Sequence, residues 1–270
     1  MAFAHFSFYS KVMSRIMEFE LALPNDMPEQ LAGKDNPAYQ RGMKTLILLH
    51  GYSGICSDWF ISGNASDLAG MFHAAVVCPS GENSFYTDMK GTGHAYCRYI
   101  GEELPEYIAR TFGLSNHRED VLIGGYSMGG YGALHIGLTY PDRFCGIMAL
   151  SSALIMDQLK GIMPGMNNGF ADYDYYVSVF GNLLNAANTD INPAVQVIKA
   201  IANQAALPDI FMACGAQDFL HNENVQFSEF LDSHHVKHAF EEGDGQHNFD
   251  YWKPKAISGL RYLLKKDGLK

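Results

Sequence analysis

The chain has 270 residues, which at roughly 100–200 residues per domain is one large domain or two small ones. Hydrophobic residues make up 47% and charged residues 18%, which argues against a disordered chain. Acidic residues outnumber basic ones 29 to 19, for a formal net charge of -10, so the clustered positive face that nucleic acid requires is missing. The one basic cluster, Lys253, Lys255, Arg261, Lys265, Lys266 and Lys270, reads as the wet face and end of a last helix.

Residues 1–19 lack a basic segment followed by an unbroken apolar one, and no run approaches the ~18 apolar residues of a membrane span. The expected setting is cytoplasmic, with no membrane partner. Cys56, Cys78, Cys97, Cys145 and Cys214 are odd in number and widely spaced, and read as reduced thiols. Cys78, Cys145 and Cys214 sit in apolar runs that look like buried strands. No spacing of Cys and His suggests zinc, and no metal or cofactor is expected.

Residues 17–23 largely alternate, as an edge strand would. A turn-rich connection, 24–43, contains Pro24, Pro28 and Pro37. Residues 45–49 are apolar after Thr45 and fit a strand covered on both faces; a glycine-bearing loop, His50-Gly51-Tyr52-Ser53-Gly54, follows. Residues 74–79 are a second such strand, stopped by Pro79. Residues 95–112 carry Tyr96, Ile100, Leu104 and Ile108 four apart and predict a helix, which Pro105 should bend or interrupt. Strands are predicted at 121–125, 144–150, 210–214 and 238–242. Helices are predicted at 129–140, 223–233 and 249–265.

Apolar strands alternating with helices predict a single α/β domain over 1–270, with a mostly parallel central sheet and helices on both faces. Residues 155–206 break the rhythm, since one helix would suffice between two strands. That stretch is rich in Met, Tyr and Phe, and reads as a cap-like insertion over the carboxyl edge of the sheet, where open α/β sheets bind ligands.

The sharpest signal is Gly125-Tyr126-Ser127-Met128-Gly129-Gly130, between a buried strand and a helix. That is the context of a nucleophile elbow. A strand reversing into a helix at one residue strains the serine backbone by about 1–3 kcal/mol. Small neighbours at Gly125 and Gly129 let the chains pass. A serine N-cap with packing glycines would show the same letters.

A serine hydroxyl needs a base, and the base needs an orienting group. In this fold the order is serine, acid, histidine. Of eleven histidines, His247 lies in a loop between the last strand and last helix, at the carboxyl edge. His221 is the runner-up, at a helix start. His234, His235 and His238 read as solvated residues rather than a metal cluster. For the acid, Asp218 follows strand 210–214 directly. Asp244 shares a short glycine loop, and Asp250 begins the last helix. The oxyanion donors are expected to be the N–H groups of Met128 and Tyr52, with Gly51 allowing close approach.

Leu49-His50-Gly51-Tyr52-Ser53-Gly54 with Trp59, Ser84-Phe85-Tyr86-Thr87-Asp88, Glu103-Leu104-Pro105, the serine turn through Gly132, Cys214 to Leu220, and His247 with Tyr251-Trp252 stand in an order that resembles one family. It is the tributyrin-esterase branch of the esterase D family, with the α/β-hydrolase fold. The resemblance implies a serine carboxylesterase acting on short-chain acyl esters, without cofactor, often as a homo-oligomer such as a dimer or tetramer. By position it implies Ser127 as nucleophile, Asp218 as acid and His247 as base. Gly51, Ser53, Trp59, Phe85, Tyr86 and Tyr126 are the expected substrate-pocket residues. Two departures concern substrate preference: Phe249 stands where relatives often carry tryptophan, and 24–43 is long. S-formylglutathione hydrolases, related to this family, typically show a Gly-Leu-Thr-Cys pattern that Tyr52-Ser53-Gly54 lacks, with Cys56 out of register. Feruloyl and acetyl-sugar esterases, acyltransferases, and a binding protein that has lost catalysis are the other readings of the scaffold.

Overall fold

The computed structural model describes residues 1–33, 36–89 and 93–268; Lys270 of the basic cluster lies outside them. Eight strands form one sheet in the order β1-β2-β4-β3-β5-β6-β7-β8. They are β1 (Ala2–Ser10), β2 (Arg15–Leu23), β3 (Lys44–Leu49), β4 (Ala74–Pro79), β5 (Val121–Tyr126), β6 (Gly146–Leu150), β7 (Asp209–Gly215) and β8 (His238–Gly243). β3 to β8 are mutually parallel, whereas β1 and β2 run antiparallel at one end. Every residue of β3, β4, β5 and β6 is buried, because helices cover both faces and leave no wet side to alternate against.

The predicted edge strand at 17–23 is internal instead. β1, which periodicity did not reveal, pairs along its whole length with β2 and takes the edge. Phe8 of β1 and Phe19 of β2 are buried, while Phe3 and Tyr9 remain exposed, so β1 has one wet face.

The connections are right for parallel strands. α1 (Glu29–Ala32) lies between β2 and β3; α2 (Asp58–Ile61) and α3 (Ala65–Phe72) link β3 to β4. The predicted helix at 95–112 is interrupted as expected: α4 (Tyr96–Arg98) passes through a π-helical turn, Tyr99–Glu103, into α5 (Leu104–Phe112). Pro105 lacks the amide an α-turn needs, and the wider turn just before it absorbs the missing bond. α6 (Met128–Thr139) is buried from Met128 to Leu138, as a helix that is apolar all round must be.

Between β6 and β7 come α7 (Tyr173–Phe180) and α8 (Pro193–Ala202). α8 packs on α6: Gln196 Nε2 donates to the His135 carbonyl at 3.1 Å. It serves as the crossover helix, so the segment over the carboxyl edge ends before it, short of the predicted 206. α9 (His221–Ser233) and α10 (Phe249–Leu263) complete the layers. Cys145 lies just before β6 and is only partly buried, unlike Cys78 and Cys214, and all five cysteines are free.

Candidate active site

Ser127 sits between β5 and α6 with φ 57° and ψ -120°, a conformation open to non-glycine residues only under strain. Neighbouring bonds hold it there: its N–H donates to the Leu150 carbonyl at 2.9 Å, and its carbonyl accepts from Ala153 N–H at 3.0 Å. The reversal packs backbone on backbone. A Cβ on Gly125 would lie 2.5 Å from the Gly129 carbonyl oxygen, and one on Gly129 would collide with the Leu49 carbonyl. Side chains there would force β5, α6 and β3 apart.

Asp218 and His247 come from loops that follow β7 and β8. Parallel pairing puts both strand ends at the same edge as Ser127. The loops are zipped together: Ala216 N–H donates to Gly243 O at 2.8 Å, Gln217 N–H to Gly245 O at 3.1 Å, and Gly245 N–H to Gln217 Oε1 at 2.7 Å. His247 Nδ1 lies 2.8 Å and 3.0 Å from the two Asp218 carboxylate oxygens. The Asp218 side chain is fully buried. Burial alone would raise its pKa, but bonds from His247, the Leu220 N–H and Ser151 outweigh it and hold the carboxyl below its usual range. The carboxylate therefore stays ionised and fixes the Nδ1–H tautomer, which leaves the Nε2 lone pair free to accept a proton.

Ser127 and His247 line one cavity of about 750 Å³, within the size range of ligand pockets. Among the described residues the Ser127 hydroxyl makes no hydrogen bond, so of the two links among the three residues the His247–Asp218 one is made and the serine–histidine one is open. Such bonds are often long without substrate and tighten in the complex. Neither Asp244 nor Asp250 bonds the ring. His221 stands at the start of α9 with Nε2 3.4 Å from Glu242, away from the cavity. His238 is not solvated as expected: its Nε2 meets Ser228 Oγ at 2.8 Å and its side chain is 6% exposed.

The loop after β3 approaches Ser127 closely; a Cβ on Gly51 would lie 3.4 Å from Ser127 Cβ. His50 holds that loop. Gly81 N–H donates to its Nε2 at 2.8 Å, so Nδ1 carries the proton and donates to the Gly51 carbonyl at 2.8 Å. Burial lowers the His50 pKa, against the opposing pull of the Gly51 carbonyl, which keeps the ring neutral. The N–H groups of Tyr52 and Met128 have no acceptor among the described residues.

The expected pocket residues divide. Ser53 and Phe85 line the cavity, as does Tyr52 of the expected oxyanion pair, whereas Gly51, Trp59, Tyr86 and Tyr126 do not. Trp59 is fully buried and donates to the Leu49 carbonyl at 3.0 Å; Tyr86 is fully buried and donates to the His50 carbonyl at 2.9 Å. Tyr126 donates to Asp58 Oδ2 at 2.7 Å and stacks on Trp252, with ring centres 4.3 Å apart. Phe249 joins that aromatic layer, 4.9 Å from Tyr126, beneath the site rather than in its wall. Trp59, Tyr126, Phe249 and Trp252 pack as one aromatic layer in the core that includes α10, whereas Tyr86 belongs to the core on the other face of the sheet.

The roof comes from the segment after β6. Ile155, Leu159, Ile162, Met166 and Phe170 face the cavity, and α7 ties down over it. Tyr175 OH donates to the Asn83 carbonyl at 2.7 Å, and Thr87 Oγ1 donates to the Val179 carbonyl at 3.1 Å. Phe170 stacks on Phe219 at 5.6 Å, and Phe219 packs 4.5 Å from the His247 ring. No Lys, Arg, Asp or Glu lines the cavity among the described residues.

Sequence reasoning missed two supports. Ser151 accepts from Trp252 Nε1 at 2.9 Å and reaches Asp218, linking α10 to the carboxylate. Asn224 is fully buried; its Oδ1 accepts from Ser152 N–H at 3.0 Å and its Nδ2 donates to the Ser152 and Leu220 carbonyls at 2.9 and 2.7 Å. It clamps the loop after Asp218 to the loop after β6. Polar residues placed just past the carboxyl end of β6 were the available signal for Ser151. Asn224→Ala strands the Ser152 amide, at a cost of about 2 kcal/mol. Thermal unfolding is expected to show a midpoint about 4 °C lower.

A family model described as "Putative esterase" matches residues 10–263. An acetyl esterase of Caldicellulosiruptor saccharolyticus is 38% identical over 267 residues, covering 98% of this chain and 99% of the relative. Among solved structures, FphF, a fluorophosphonate-binding serine hydrolase of Staphylococcus aureus, superposes with a TM-score of 0.83 at 28% identity, covering 97% of this chain and 98% of that one. The S-formylglutathione hydrolase FrmB of the same organism gives 0.80 at 28% identity over the same shares. With its mostly parallel sheet, its strained serine turn and a family match over nearly its whole length, the chain belongs to the esterase family of α/β-hydrolase-fold proteins.

Proposed function

We propose that the protein is a serine carboxylesterase of the tributyrin-esterase type, hydrolysing short-chain, uncharged acyl esters through an acyl-enzyme. The observation that carries this reading is the pairing of a buried, ionised Asp218 with His247 at the wall of the cavity that also holds the strained Ser127.

The steps follow from the groups present. Ser127 Oγ attacks the ester carbonyl as His247 Nε2 takes its proton. The unpaired N–H groups of Tyr52 and Met128 stabilise the oxyanion, and losing one such donor typically costs about 2.7–4 kcal/mol. His247 then protonates the departing alkoxide, and activates the water that releases the acid. Asp218 stays ionised and stabilises the imidazolium.

The uncharged lining supports a neutral substrate. Glutathione carries two carboxylates and an ammonium group, and burying unpaired charge is costly, so a formylglutathione substrate fits this wall poorly. The acetyl esterase relative supports a small acyl group. A series of nitrophenyl esters from acetate to decanoate, with S-formylglutathione and methyl ferulate, tests the reading. The expected result is highest kcat/KM at acetate to butyrate, at least about tenfold above decanoate. A preference for S-formylglutathione or ferulate over the short esters would overturn the substrate assignment.

A further inference from the structure

Away from the cavity, the β1–β2 edge gathers three metal-ligating side chains that the sequence keeps far apart. His5 and Glu20 are direct partners across the antiparallel pair, so both side chains leave the same face of the sheet, as does Glu18 two residues earlier. The loop leaving β3 brings Cys56 to that face. Donor atoms of His5, Glu20 and Cys56 all lie within 4.8 Å of one another.

The carboxylate is the telling group. Glu20 is 8% exposed; its Oε1 accepts from the Ser57 hydroxyl at 2.5 Å, while Oε2 is buried with no hydrogen-bond partner. A buried carboxylate oxygen without a partner is costly, and a cation between Glu20, Cys56 and His5 would satisfy it. The His5 ring is already turned for this. Its Nδ1 faces Glu20 at 3.9 Å and its Nε2 faces Glu18 at 3.8 Å. Neither nitrogen is hydrogen-bonded at these separations; with Nδ1 on a metal, Nε2–H would have the Glu18 carboxylate near it, the outer partner that a ligating histidine takes.

We propose that His5, Glu20 and Cys56 bind one divalent transition-metal ion of the zinc class. Imidazole nitrogen, carboxylate oxygen and thiolate sulfur are zinc donors, whereas the sulfur disfavours magnesium and calcium. On binding, the Cys56 S–H bond breaks, its proton passes to solvent, and a metal–sulfur bond forms. Thiolate and carboxylate then balance the two positive charges. His5 is half exposed, which leaves a fourth position to water. The ion would tie the β1–β2 hairpin to the loop of residues 50–58, which also carries Tyr52.

The test is a titration of the untagged, chelator-treated protein with Co²⁺ and Zn²⁺. One equivalent of Co²⁺ is expected to produce thiolate-to-cobalt charge-transfer absorption. His5→Ala and Cys56→Ser should each weaken binding about tenfold or more, and Cys56→Ser should abolish that absorption. A hundredfold excess of Zn²⁺ over its Kd should raise the melting temperature by about 5 °C, in the wild type and not in Cys56→Ser. His5 lies on the exposed face of the edge strand, so His5→Ala tests the site without disturbing the core. Absence of Co²⁺ binding by the wild type, or equal affinity in all three proteins, would overturn the proposal; the first would leave Glu20 Oε2 to a water. Neither result bears on ester hydrolysis.

Discussion

Replacing Ser127 with alanine is expected to lower kcat for nitrophenyl butyrate by about 10⁴- to 10⁶-fold, with the melting temperature unchanged. The Ser127 hydroxyl makes no hydrogen bond among the described residues, so its removal leaves no buried partner stranded. The backbone strain at φ 57° persists in the alanine variant, because it belongs to the turn and not to the hydroxyl. Covalent labelling by a fluorophosphonate should vanish in parallel. The two readouts separate the alternatives. A protein that binds without catalysis gives no turnover to lose, and a different nucleophile leaves both turnover and labelling intact in Ser127→Ala. Either outcome would remove Ser127 from the reaction. The strain would favour glycine, so a serine at this position is kept at a cost. The surrounding bonds from Leu150 and Ala153 fix the turn, and the fold supplies the energy that keeps a non-glycine residue there.

The serine turn was legible because its chemistry is local. Glycines two positions either side, a buried strand before and a helix after all fall within a dozen residues. The parallel core was legible for a similar reason: strands covered on both faces must be apolar along their covered length, and β4, β5 and β3 after Thr45 carry no charged side chain. β1 was not legible, because its outward residues include Phe3 and Tyr9, which blur the alternation that would mark a half-wet strand. Phe85 lines the cavity, but three of the other expected pocket aromatics do not, for a different reason. Trp59, Tyr86 and Tyr126 lie near the right loops, but whether a ring faces the cavity or the layer beneath depends on packing between elements distant in sequence. The gathering of His5, Glu20 and Cys56 has no sequence signature either, since strand pairing and a loop from another strand bring them together. That Asp218 and His247 meet at one edge follows from topology, since parallel strands deliver their following loops there.

Asp218→Asn is expected to lower kcat by about 10⁴-fold while leaving KM for the short esters within a few-fold of the wild type. The amide matches the carboxylate in size, so the loop after β7 keeps its bonds to Gly243 and Gly245. What changes is charge. Asparagine does not stabilise an imidazolium, and its NH₂ group can hold His247 with the proton on the wrong nitrogen. Stability should respond to pH with a definite sign. The Asp218 pKa is lower in the folded protein than the ordinary carboxyl value, so the unfolded chain binds the proton more tightly. The contribution of Asp218 is therefore fully present above the unfolded pKa of about 3.9 and is lost as pH falls through the folded value below it. Urea unfolding should find Asp218→Asn less stable than the wild type at pH 7, with the gap narrowing as the medium is acidified below about pH 4. A gap that stays constant or widens over that acid range would mean that the carboxylate is not held ionised by its neighbours. The imidazole would then lack the fixed negative charge on which the proposed proton transfers depend.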